Sequence, residues 1–506
     1  MSSATSTRGI PASASGSEGL FEIKLVPALI SVAVGLLIWF LPPPQSFVDY
    51  VAANPDAGYN AVNAWHLLAI FVATIVAIIT KPLPMGAIAM ISIAVVTISG
   101  ALGTGGSAMN AAISAFANST IWLIVIAFFI SRGFIKTKFG TRIAYWFMRL
   151  LGKNTIGLSY GLIAADLVMA PAIPSNTARG GGIIYPVLKS VALAYDSDPE
   201  QGTARKIGAF LTLTSFQGLV VTSGMFLTAM AANPVAQSLA ADLGAEITWT
   251  NWATAAIVPG LISLIVVPLL LYKVYAPEIK QTPEAPELAR KKLAEMGSMK
   301  ASEWIMLGVF VMLIVLWIFG KNWFGLHSTA VAFIGLAVLL LTSVLNWNDV
   351  LNEKGAWNTL VWFSALVMMA SYLSKLGLIP WFSVAMGDVV GGMNWVTAFV
   401  ILALAYFYSH YLFASNTAHV TAMYAAFLAV AIQIGAPALL AALVLGFFSN
   451  LMSSMTHYGT GPAPVYFGSG YVEMTDWWKW GLVISVLNIV IWLGVGGVWW
   501  KILGLW

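Results

Sequence analysis

The sequence predicts an all-α polytopic membrane protein of about eleven transmembrane helices, two opposed re-entrant hairpins, two broken helices and inverted-topology repeats. Three observations predict it. The 506 residues are 59% hydrophobic and only 9% charged, with mean hydropathy +0.85, against about 25% charged residues in a soluble domain. Apolar runs of membrane-spanning length recur along the chain. The tripeptide Ser-Asn-Thr appears twice, at 175 and 415, inside otherwise apolar stretches.

Candidate spans fall near 27–41, 64–80, 85–103, 120–135, 207–231, 253–275, 304–320, 326–345, 359–375, 437–474 and 478–503. Two further apolar regions, 155–194 and 395–432, are interrupted by the Ser-Asn-Thr stretches. The run 437–474 is too long for one plain helix. THYGTGPAP at 456–464, with two glycines and two prolines, breaks it. The main break in hydropathy is 276–303, which carries charges of both signs and three prolines. It reads as a cytoplasmic linker containing a short amphipathic helix, between a first portion 25–275 and a second portion 304–506.

Residues 1–24, rich in Ser, Ala and Gly, read as a disordered cytoplasmic tail. Basic residues at membrane ends report orientation. Arg132, Lys136, Lys138, Arg142, Arg149 and Lys153 cluster in one loop, and Lys280, Arg290, Lys291, Lys292 and Lys300 in the linker. Eleven crossings from a cytoplasmic N-terminus put every cluster on the cytoplasmic side. The location expected is a bacterial inner membrane. Such charges argue against nucleic-acid binding. Zero cysteines exclude disulfides, cysteine metal sites and thiol catalysis. No metal-ligand spacing, nucleophile triad or paired carboxylates point to an enzyme, so no catalytic residue, metal or cofactor is expected. Trp477, Trp478, Trp480, Trp499 and Trp500 read as interfacial belts. The glycines at 180–182 read as a site of close helix packing.

The two Ser-Asn-Thr stretches are offset by 240 residues, and the offset holds elsewhere. Asn118 matches Asn358, Trp122 matches Trp362 and Ser131 matches Ser371. From the span at 120 up to its counterpart at 359 there are five expected crossings, the first of them 120–135 itself. Five is odd, so the copies are inverted, an arrangement common in secondary transporters with a midplane site. The hairpin 155–194 then enters from the cytoplasm and 395–432 from outside. Non-helical backbone at membrane depth is tolerated where it is buried in protein or lines a water-filled cavity, so each tip is expected to face a site.

Hydroxyls, an amide and free N–H groups at a helix start make an anion receptor. Two such tips fit a ligand with two separated negative groups, one carboxylate per tip. Two broken spans complete the expected site. VTSGMFLTAMAANP at 221–234 contributes Thr222 and Ser223, and MTHYGTGPAP at 455–464 contributes Gly459 and Thr460. His457, beside them, either touches substrate or bridges backbone.

On these residues, PSNTARGGG, ASNTAHV and THYGTGPAPVYFGSGYV, the chain resembles the divalent anion/sodium symporter family over nearly its whole length. Within it, the chain resembles the bacterial and plastid exchangers of 2-oxoglutarate, malate, citrate and succinate. The resemblance implies carboxylate binding at Ser175, Asn176, Thr177, Ser415, Asn416 and Thr417, with Thr460 contributing. It also implies a homodimer whose transport domain moves past a scaffold like an elevator.

Where sodium-coupled members carry small uncharged residues two positions past the Ser-Asn-Thr, this chain has Arg179 and His419. A built-in cation beside each tip would take the electrostatic place of sodium. An empty charged site crosses the membrane region only at high cost, which predicts sodium-independent exchange. Asp166 either pairs with Arg179 or carries a proton. The alternative on the same fold is a sodium- or proton-coupled di-/tricarboxylate symporter.

Overall fold

The computed structural model describes residues 23–389 and 393–506. The expected tail, 1–24, lies outside the described residues except for Ile23 and Lys24. Among the described residues every regular element is helical. Among the described residues, seven helices are long and apolar enough to cross a membrane: Ala61–Thr80, Ser119–Thr137, Trp249–Val274, Ala301–Phe324, Lys354–Lys375, Trp395–Leu412 and Met474–Ile502. An eighth joins Leu25–Phe40 to Gln45–Ala52 through a 58° bend. Large side chains on the outer helices face outward, Phe40 at 78% exposure, Ile98 at 83% and Leu341 at 85%. An apolar surface of that kind belongs in lipid.

The count differs from the eleven expected spans for a physical reason. Gly208–Met225, with every residue buried, and Ala438–Leu451, buried from Leu440 onward, lie inside the protein. A helix surrounded by other helices needs neither the length nor the uniform apolarity that lipid demands. Met85–Ser99 and Ser328–Leu341 are likewise short. The tryptophan expectation needs a correction too. Trp477 and Trp500 are 0% and 2% exposed. Trp477 packs on Phe216 at 4.7 Å, and the Trp500 indole donates to the Ala255 carbonyl at 2.9 Å. Tight packing at an internal helix interface outweighs the preference of these rings for the membrane boundary.

Both Ser-Asn-Thr stretches sit at hairpin turns. Thr155–Met169 leads into a turn over 170–175, and the return starts at Asn176. It continues through a π-helical turn, Gly180–Ile184, into Tyr185–Ala194. In the second hairpin, Trp395–Tyr408 and the 3-10 turn Ser409–Leu412 lead to a return helix, Asn416–Gln433. Gly180 packs where a Cβ would collide with Leu219, so one of the three glycines is required by a close approach.

Both predicted broken spans are broken. The first is helical to Met225, passes through extended residues Phe226 and Met230, and resumes at Ala232. Side chains take up the carbonyls this break releases, as buried backbone requires. Asn233 donates to Ser223 O and Phe226 O at 2.8 and 3.0 Å, and Trp252 to Gly224 O at 2.9 Å. The second ends its helical course at Ser454 and resumes at Ala463. Asn450 donates to Asn233 Oδ1 at 2.7 Å, which ties the two breaks together.

The linker contains the expected short helix, Ala285–Met296. Its flanks pair with the start of the first hairpin, Thr155 N to Lys280 O at 3.1 Å and Thr282 N to Lys153 O at 3.0 Å. Arg142 grips Glu303 with two hydrogen bonds, 2.6 and 3.2 Å, in a buried pair.

Candidate functional site

The residues of the site are brought together by the unwound stretch 455–462. Asn176, on the first hairpin tip, donates to Thr460 Oγ1 at 3.1 Å. One position earlier, the Gly459 carbonyl meets His410 Nε2, on the second hairpin, at 3.0 Å. The same irregular segment therefore touches both hairpins. Its glycines permit the approach. A Cβ on Gly459 would come within 2.8 Å of His410 Nε2, and one on Gly461 would collide with Thr177 Oγ1.

Each tip is a capped helix start. Ser175 Oγ accepts from Ala178 N at 3.1 Å, and Ser415 Oγ from Ala418 N at 3.4 Å. The caps orient the serine oxygens and leave the first N–H groups of each helix, at residues 176–177 and 416–417, without helical acceptors. Among the described residues, no acceptor is hydrogen-bonded to the hydroxyls of Ser175, Thr177, Ser415 or Thr417. Thr177 is exposed and the three other hydroxyl residues are half-buried. These are donors facing an accessible surface, as an anion receptor requires. Asn416 differs from Asn176. Its amide nitrogen is bonded to Ser449 O at 2.7 Å, and its buried Oδ1 has no protein partner.

Arg179 is fully buried and bound on every side. Its Nε meets Asp166 Oδ1 at 2.9 Å, Nη1 donates to Ile173 O at 2.6 Å and Ala229 O at 2.5 Å, and Nη2 donates to Ser223 Oγ at 3.1 Å. Thr222 donates to the other Asp166 oxygen. Thr222 and Ser223 thus serve this ion pair, with both hydroxyls buried. Asp166 matches the arginine charge, so the pair is neutral as a unit. His419 is also fully buried, with Nδ1 3.1 Å from His410 Nδ1 and Nε2 3.0 Å from Ser409 Oγ. His457 stands apart, accepting from the Trp478 indole at 3.2 Å.

Sequence reasoning missed His410, Asn233 and Asn450. The polar run Tyr408-Ser409-His410-Tyr411 in an apolar arm was the available signal for the first. Little local marks the two asparagines: Asn233 takes up carbonyls freed by the break just before it, and Asn450 bonds the Asn233 side chain from the other broken span.

The family model described as the sodium:sulfate symporter transmembrane region matches residues 22–506. The chain belongs to that family. It is 56% identical over 485 residues to the Bacillus subtilis protein YflS, whose name assigns malate transport provisionally, covering 96% of this chain and 98% of that one. It is 50% identical over 486 residues to the spinach protein named dicarboxylate transporter 1, chloroplastic, covering 96% and 82%. Among solved structures, it resembles MtrF of Neisseria gonorrhoeae at TM-score 0.54 and 12% identity, over 84% of this chain and 97% of that one. YdaH of Alcanivorax borkumensis gives TM-score 0.52 at 12% identity, over 83% and 97%. These two likenesses concern the fold alone. Family and apolar helices together make this a multi-pass integral membrane transport protein of the dicarboxylate-transporter branch.

Proposed function

We propose that the protein exchanges dicarboxylates across a bacterial inner membrane without sodium. Malate, succinate, 2-oxoglutarate and related acids, citrate among them, form the substrate class. One observation carries this reading. Beside each tip, carbonyls of the kind that unwound backbone offers to cations already accept from N–H groups of the protein. Arg179 takes Ile173 O and Ala229 O beside the first tip. His410 takes Gly459 O beside the second. Sodium would have to displace these donors from three of the carbonyls nearest the tips.

The carboxylates of the substrate are assigned to Ser175, Asn176 and Thr177 at one tip and to Ser415, Asn416 and Thr417 at the other, with Thr460 and Gly459 between. Thr222, Ser223 and Asp166 hold Arg179 in place. Because Asp166 neutralises Arg179, the charge argument for exchange moves to the tips. Empty, they present hydroxyl and N–H donors and two positive helix ends with nothing to bind. Carrying such groups out of water is costly, and a bound dianion removes the cost. The loaded carrier crosses and the empty one stays. In this reading the two Ser-Asn-Thr regions are inverted repeats, the N-terminus is cytoplasmic, and a homodimeric scaffold lets each transport domain slide as an elevator.

Proteoliposomes test it. Uptake of labelled malate is expected only into vesicles preloaded with malate or another dicarboxylate, equal in sodium and potassium media. Uptake into empty vesicles driven by a sodium gradient sinks the proposal.

A further inference from the structure

His410 and His419 lie ring to ring, centroids 5.2 Å apart and planes 13° from parallel, both fully buried. They belong to one continuous chain of polar contacts. It runs from Gly459 O to His410 Nε2 at 3.0 Å, from His410 Nδ1 to His419 Nδ1 at 3.1 Å, from His419 Nε2 to Ser409 Oγ at 3.0 Å, and from Ser409 Oγ to Tyr406 O at 2.8 Å.

Counting hydrogens decides what this chain can do. Both ends are carbonyl oxygens, which only accept. The three groups between them, two neutral imidazoles and one hydroxyl, hold one hydrogen each. Three hydrogens cannot make four hydrogen bonds. Neutral, the chain makes three: Ser409 donates to His419 Nε2, His419 Nδ1 donates to His410 Nδ1, and His410 Nε2 donates to Gly459 O. The contact with Tyr406 O then goes unmade. One added proton completes the set. It binds His419 Nε2, which now donates to Ser409 Oγ, and the Ser409 hydroxyl turns to Tyr406 O. No other bond changes.

We infer that the His410–His419 pair is a proton-binding site that takes up one proton together with the substrate dianion. The inference rests on the dicarboxylate reading above. The surroundings explain the coupling. Tyr406 and Tyr408 on the outgoing arm are bonded to Ser449 and Ser485, Tyr424 on the return arm to Ala442 O, and Tyr458 on the unwound stretch to Tyr411 O. His457 on that stretch is bonded to Trp478. Among the described residues, no Asp, Glu, Lys or Arg forms an ion pair with either ring. A buried cation without a counter-ion is costly, so the empty carrier holds this proton weakly. His419 stands one helical turn, about 6 Å along the axis, beyond Ser415 at the second tip. A carboxylate bound there supplies the missing negative charge. By linkage, the proton strengthens dianion binding by the same factor.

The sign follows. The loaded pair binds its proton more tightly than the empty pair, so malate affinity is full at low pH and is lost as pH rises. The limiting slope for one linked proton is about tenfold in Kd per pH unit. Above about pH 6 malate itself stays dianionic, so its own titration does not mimic the effect.

Titration calorimetry of the full chain in lipid nanodiscs, with malate at pH 7.5 in phosphate and in Tris, reads the protons taken up per malate from the difference in heat. Uptake approaching one proton is expected in the native protein. In the double variant His410→Gln/His419→Gln, whose amides can make the neutral contacts, binding is expected to be weaker, proton-free and independent of pH. Malate binding without proton uptake, or uptake unchanged in the double variant, overturns the site. The 15N spectrum of histidines in the malate-free protein tests it separately. One proton shared by the two rings is expected, bound at lower pH than in the malate-saturated protein, and rings that take up none in either state, or two independent protons, also overturn it. Failure of malate to bind, with the shared proton observed, removes the dicarboxylate reading and leaves the proton site.

Discussion

Asn176 donates to Thr460 Oγ1 at 3.1 Å across 284 residues of sequence. The bond pins the first hairpin tip to the unwound stretch that the second hairpin holds through His410. Substrate contacts assigned to the two tips are therefore mechanically joined. Asn176→Ala and Thr460→Val are each expected to weaken malate exchange by roughly fivefold to tenfold, matching one hydrogen bond of about 1 kcal/mol. Measured in counterflow, the double variant should lose little more than either single change. Full additivity would separate the two residues.

Gly461 faces Thr177, and a Cβ there collides with its hydroxyl. Both residues are exposed, so the fold should tolerate the change while the tip shifts. Gly461→Ala is expected to raise the half-saturating malate concentration about tenfold, within the 1–3 kcal/mol range of overpacking. Adding Thr177→Gly should recover part of it if the clash is the cause, and the comparison of saturation curves decides.

Arg179 and Asp166 are buried together, 2.9 Å apart. Removing one partner strands the other charge, at a cost of about 3–5 kcal/mol. Asp166→Asn and Arg179→Ala should both lower the unfolding temperature in detergent strongly. Arg179→Ala should impair transport more than His419→Ala, because it also frees the Ile173 and Ala229 carbonyls. Sodium should then stabilise Arg179→Ala measurably while leaving the native protein unchanged.

Arg142 and Glu303 join the helix Phe139–Leu151 to the start of the helix Ala301–Phe324. Arg142→Met alone should destabilise by about 3–5 kcal/mol, whereas Arg142→Met with Glu303→Leu should restore most of that stability. Thermal unfolding of the three proteins measures the difference. Equal loss in the single and double variants would show that the pair is more than a matched buried charge.

Much of the architecture was legible because it depends on local composition. Apolar runs need helices in lipid, since only helices satisfy their own backbone there. Glycine and proline at 456–464 cannot continue a helix, and serine before Asn176 and Asn416 caps one. The register at offset 240 located both turns. Span lengths were less legible. Gly208–Met225, interrupted by Thr, Ser and Gln, and the short Ala438–Leu451 still read as apolar runs, and only their neighbours show them to be internal. Trp477 and Trp500 misled for the same reason, since an indole suits both a membrane boundary and a tight internal interface.

The sequence by itself determined the helical membrane fold, the family, and the hairpin and broken-span positions, because these follow from period, polarity and turn chemistry within a few residues. Tertiary structure decided which groups meet. It set Arg179 against Asp166 and the carbonyls of the first break, Asn176 against Thr460, and His410 between His419 and Gly459. Each of these bonds satisfies a buried polar group, and burial makes an unsatisfied one costly. The partner that meets that demand is fixed by packing, at sequence separations from 9 to 284 residues.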